Sequence, residues 1–173
     1  MLSDAWIRTY CGPAPGPDDF WFRWNFDPLL LAALSLLFFV VLRARSCHGM
    51  AAVGVLVLAF VSPLCALSSA LFSARVVHHV LLFAVAAPLL ARAWPSRRAG
   101  GAMAAFAVST VVLWGWHLPV AYDLALSHVG VYWLMQISLL GAALWFWRAV
   151  FSPGRTPVEA LTLLIAGFAQ MGL

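Results

Sequence analysis

Arginine punctuates this chain, and long apolar runs fill the intervals. No aspartate, glutamate, lysine or arginine occurs between Arg45 and Arg75, between Arg75 and Arg92, between Arg98 and Asp123, or between Asp123 and Arg148. Uncharged apolar runs of about 18 residues or more read as membrane-spanning helices, because a helix rises about 1.5 Å per residue and the hydrocarbon core is about 30 Å thick. A composition 64% hydrophobic and 9% charged cannot supply the surface of a soluble domain. The expected fold is therefore all-α: a polytopic transmembrane helix bundle, with room in 173 residues for about six spans.

Residues 1–27 form an extracytoplasmic lead-in. They are rich in Pro, Gly, Asp and Trp, carry turn signals in CGPAPGPDD, and lack the apolar core of a cleavable signal sequence. Trp21 and Trp24 suit a membrane–water interface. Residues 28–173 are read as one transmembrane domain. Asp27-Pro28 pairs an N-cap with proline at the first helical position and opens span one, which closes at Arg43 and Arg45. Span two is expected over Ala51–Leu67, span three over Arg75–Ala93 with a kink at Pro88, span four over Gly101–Trp116, and span five over Val129–Phe151. Pro119 is expected to stop span four and leave VAYDLALSH as a loop. Val158–Leu173 makes a helix of roughly 24 Å, short of a full crossing, which predicts an incomplete final span.

The net charge of +4 rests on arginine alone, since lysine is absent. Arg43, Arg45, Arg92, Arg97, Arg98, Arg148 and Arg155 fall in alternate loops, and the loops between them carry only Arg75. That bias predicts an N-terminus outside, and it reads as orientation within a lipid bilayer rather than nucleic-acid binding. Cys11, Cys65, Arg75, His78, His79, His117, Asp123 and His128 then share the outer face, with Cys47 and His48 at the inner one.

FSARVVHHVLLFAVAAPLL places Arg75, His78 and His79 at the mouth of an apolar span, where polar side chains are costly unless paired or bound. His78 and His79 point about 100° apart, so at least one faces the bundle. Arg75, one turn before His79, favours neutral imidazoles, and neutral imidazole ligates Cu, Zn, Fe or Ni, with thiolate adding preference for Cu(I). His117, His128, Asp123 and Cys65 are the further candidates at that depth. The plainer readings stand beside this one: interface histidines also clasp neighbouring helices, the tryptophans Trp114, Trp116, Trp133, Trp145 and Trp147 serve as anchors and packing, and the methionines as filling. Cys11 and Cys65 are either a disulfide, free thiols or metal ligands. No CxxC, HExxH or glycine-rich phosphate loop occurs.

WNFDP before span one, SPLCALSSALFSARVVHHVLLFAVAAPLLA across spans two and three, and WGWHLPVAYDLALSH after span four together resemble the CtaG family of membrane proteins. The resemblance implies a bundle of six to seven spans in the bacterial inner membrane, a role in cytochrome c oxidase assembly with oxidase subunits as partners, and no catalytic turnover. It implies copper handling and carries over His78, His79, His117, Asp123 and His128; with the one-sided set of histidines and thiols, the expectation is Cu(I) bound on the periplasmic side by His78, His79 and His117, with His128 or Cys65 completing the site and Asp123 orienting a ligand. In the family pattern further histidines occur early in span five, where this chain has Tyr132 and Gln136. The rival expectations are a b-type haem or quinone redox protein and a metal-free scaffold for oxidase subunits.

Overall fold

The computed structural model describes residues 9–12, 15–95 and 101–170. Among them the regular elements are helical: α1 (Pro28–Arg43), α2 (Cys47–Phe60), α3 (Leu64–Ala70), α4 (Phe72–Val80), a π-helical stretch (Leu81–Ala86), α5 (Ala87–Ala93), α6 (Ala102–His117), α7 (Pro119–Ser127), α8 (Val129–Val150) and α9 (Pro157–Gln170). Arg97 and Arg98, counted above toward orientation, lie outside the described residues.

Local chemistry sets most of the boundaries. The Asp27 carboxylate accepts the Leu29 N–H at 2.8 Å, and Pro28 opens α1 at a position that needs no donor. At its other end Ser46 N–H donates to Val41 O and Arg45 N–H to Leu42 O, a Schellman closure that holds Arg45 at φ +49°. Ser46 then caps α2 by accepting the Gly49 N–H at 3.1 Å. At Gly49 α1 and α2 approach too closely for a side chain, because a Cβ there would lie 2.6 Å from Val41 Cγ1.

Three prolines shape the spans. Pro63 separates α2 from α3 at a bend of 48° and leaves the carbonyl of Ala59 without its helical donor. Pro88 falls just after the π-helical stretch, so that α4, the stretch and α5 run as one helix over Phe72–Ala93. Pro119 behaves differently from expectation. The segment VAYDLALS is not a loop: it forms α7, set at 73° to α6, because proline at the first position of a new helix gives up a hydrogen bond the helix never makes.

Among the described residues two helices, Phe72–Ala93 and Val129–Val150, are long and apolar enough to cross a membrane, and the bent pairs α2/α3 and α6/α7, each taken as one span, raise the number to four. α1 and α9, of 16 and 14 residues, are shorter apolar helices. α8 packs against α5, α6 and α7, while α2 packs on the other side of the Phe72–Ala93 helix and carries α1. One core gathers Phe60, Leu82, Leu113, Met135 and Leu139; another gathers Phe83, Phe146 and Trp147. Trp147 is thus buried packing rather than an interface anchor, whereas Trp114 and Trp145 are exposed.

The lead-in is tied to this bundle. Cys11 and Cys65 form a disulfide with Cα atoms 5.4 Å apart. Tyr10 stacks on Tyr132 at 4.8 Å, its hydroxyl donates to Asp27 Oδ2, and Asn25 N–H donates to Val61 O at 2.9 Å. Trp21, Phe22, Trp24 and Phe26 remain exposed beside the start of α1.

Candidate histidine site

α4 presents its two histidines in different directions, as adjacent helical residues must be. His79 turns toward the last turn of α6, and its ring stands 5.3 Å from that of His117 at 72°. His117 Nδ1 lies 2.7 Å from the Leu113 carbonyl, so Nδ1 carries the proton and Nε2 keeps the lone pair. His79 is buried, and its Nδ1 has no hydrogen-bond partner. Both rings line a cavity of about 210 Å³ with Val76, Leu113, Trp114 and Gln170. Gln170 accepts a hydrogen bond from the Thr110 hydroxyl on α6, which leaves its own amide nitrogen buried and unpartnered.

His78 belongs to a different environment. It is 1% exposed, meets Phe60 edge to face at 5.1 Å, and stands 6.0 Å from the His79 ring. Its polar neighbours are the Ala59 carbonyl freed by Pro63 and the Gln136 side chain, yet neither closes a hydrogen bond with it. Gln136 Oε1 is likewise buried without a partner. Arg75 lays its guanidinium over the Tyr122 ring at 3.5 Å, and Tyr122 in turn donates to Ser68 O at 3.3 Å.

The other sequence candidates stand apart from this pair. Cys65 is bonded to Cys11 and abuts the Tyr132 hydroxyl, so in this oxidised form it offers no thiolate. Asp123 is exposed on α7, and His128, also exposed, ends that helix with Nδ1 at 2.9 Å from Ser127 Oγ. Among the described residues no three His, Cys, Asp or Glu side chains gather closely enough to hold a metal ion. What the fold brings together is a pair of imidazoles from α4 and α6, at the wall of a mainly apolar cavity. Gln136 stands where the family pattern has a histidine, while Gln170 is marked in the sequence only by being a lone carboxamide within an apolar run.

Residues 97–173 match the family model described as cytochrome c oxidase caa3 assembly factor. Over those residues the chain is similar to that family. The matched stretch runs through α6, α7, α8 and α9 and contributes His117 to the pair; His78 and His79 precede it. No curated protein and no solved structure matches the chain.

Proposed function

We propose that the protein is a bacterial inner-membrane assembly factor for cytochrome c oxidase that carries copper, as cargo, at the periplasmic end of its helix bundle. The family match supports the assembly role, and the observation that carries the copper reading is the His79–His117 pair. Imidazole is a good copper ligand, and one unpartnered nitrogen on His79 with a free lone pair on His117 makes a donor set for a two-coordinate Cu(I) ion. A site with so few ligands releases its ion readily to a richer one, which suits delivery to oxidase subunits and calls for no catalytic turnover.

The proposed topology has six crossings: α1, α2/α3, Phe72–Ala93, α6/α7, α8 and α9, with the N-terminus outside. Arg148, bonded to the Trp94 carbonyl, and Arg92, over Phe151, share the end opposite the histidines, in keeping with a basic cytoplasmic side. A bound haem is the rival use of paired histidines, and the close edge-to-face approach of these rings favours a small ion over it.

The test is elemental analysis of detergent-purified protein after loading with Cu(I) under reducing conditions. One copper per chain is expected, lost in His79→Ala and in His117→Ala, with no Soret band in the absorbance spectrum. Retention that is absent in the parent, or unchanged in both variants, overturns the copper reading; oxidase assembly that survives both variants but not deletion of the protein makes it a metal-free scaffold.

A further inference from the structure

The helix that carries both histidines takes its orientation from the residues that follow them. Leu81–Ala86 is π-helical, and Ala87 N–H reaches back five residues to Leu82 O. Pro88 comes next and has no N–H, so Phe83 O finds no donor along its own helix. Trp147 Nε1–H, from α8, donates to that carbonyl at 2.6 Å in the buried core. Ordinary α-helical closure here would pair Ala87 N–H with Phe83 O and strand Ala84 O against the proline ring. The indole therefore favours the π form, since it satisfies the carbonyl that this form exposes.

A π turn takes in one residue more than an α turn, and one residue of α-helix is about 100° of rotation. Relative to α5, the whole of α4 is turned by about that angle. In an uninterrupted helix Val80 would hold the angular position that His79 now holds, and His79 would point where His78 does, toward Phe60 and Gln136.

We propose that Pro88 and Trp147 are positioning residues: together they fix the π stretch that turns His79, rather than Val80, onto His117. The proposal rests on reading His79 and His117 as the working pair, but it concerns their geometry and not the metal.

Thiol cross-linking tests it on the full chain in detergent, with Cys47→Ser and the Cys11–Cys65 disulfide kept. His79→Cys is paired with His117→Cys, or Val80→Cys with His117→Cys, and a short bis-maleimide is added. The cross-linked peptides are measured by mass spectrometry. With Pro88→Ala plus Trp147→Phe, the 79–117 yield is expected to fall about tenfold and the 80–117 yield to rise. A 79–117 yield that does not change overturns the proposal. Where the double variant fails to fold, Trp147→Phe alone carries the test, because it keeps the proline and removes only the donor; a fall supports the proposal and an unchanged yield overturns it. The readout needs no copper, so failure here and failure of copper retention are separate results.

Discussion

The Tyr10 hydroxyl donates to Asp27 Oδ2 at 2.6 Å, which joins the lead-in to the residue that caps α1. The bond holds the Asp27 carboxyl below its ordinary range, with the Leu29 N–H adding to the effect. Burial, first, and then the same bond push the Tyr10 hydroxyl above its ordinary value. The two signs give a plateau. Asp27's contribution is present above the unfolded carboxylate value near 4 and is lost as pH falls through its lowered folded value; Tyr10's is present below about pH 10 and is lost as pH rises through its raised one. Thermal unfolding in detergent from pH 3 to 11 should fall off at both ends. Tyr10→Phe should cost about 1 kcal/mol at neutral pH, discounted for the solvent beside Asp27, and should shrink the acid limb while removing this residue's alkaline one. Identical profiles for parent and variant would show that the bond does not form in solution.

The 5.3 Å contact between His79 and His117 makes them a unit, and their substitutions should not add. His79→Ala and His117→Ala should each weaken Cu(I) binding by about tenfold or more, and the double variant should be little worse than either. His128→Ala and Asp123→Asn, exposed and away from the pair, should leave affinity unchanged. Competition titration with a chromogenic Cu(I) chelator measures all five variants beside the parent, and additive losses, or a loss in His128→Ala, would count against a two-imidazole site.

His78 is expected to behave in the opposite way. Both of its ring nitrogens are buried without partners, and a buried polar group left unpaired costs about 1–3 kcal/mol. His78→Leu, similar in bulk and apolar, should therefore raise the unfolding midpoint while Cu(I) retention stays at the parent level. A variant that is destabilised, or that loses copper, would mean that His78 finds a partner or joins the ligands.

The division between what the residues announce and what they conceal follows the range of each interaction. Asp27-Pro28 at the start of α1 and Arg43 with Arg45 at its end are legible because a cap is made by neighbours in sequence. The need of Pro88 for a substitute partner is legible too, but its identity is not: Trp147 lies on α8 and looks like one more interfacial tryptophan. Pro119 reads as a stop and is one; nothing local says whether a proline also begins the next helix. The site suffers most. His78 and His79 are conspicuous, yet which of them meets His117 depends on the register of the π-helical stretch, and the alternation of apolar residues does not encode that. Likewise Cys11 and Cys65 are 54 residues apart in sequence, and long-range contacts such as Tyr10 against Tyr132 and Asn25 N–H to Val61 O bring them together.

Arg45, at φ +49°, sits where helices usually end in glycine. The left-handed conformation crowds its Cβ against the following carbonyl and costs a non-glycine residue about 1–2 kcal/mol. Arg45→Gly removes that cost but gives the unfolded chain more freedom, worth about 0.5–1 kcal/mol, so the net gain should be about 0.5–1 kcal/mol. The geometry around it argues for retention of the turn, since Ser46 N–H to Val41 O and Arg45 N–H to Leu42 O are backbone bonds that glycine keeps. Arg45→Ala is the control that separates backbone from charge: it removes the guanidinium next to Arg43 but retains the Cβ. Unfolding midpoints in detergent should rise for Arg45→Gly and not for Arg45→Ala. Equal rises in both would assign the effect to repulsion between Arg43 and Arg45, and no rise in either would mean that the turn relaxes out of the left-handed region in solution.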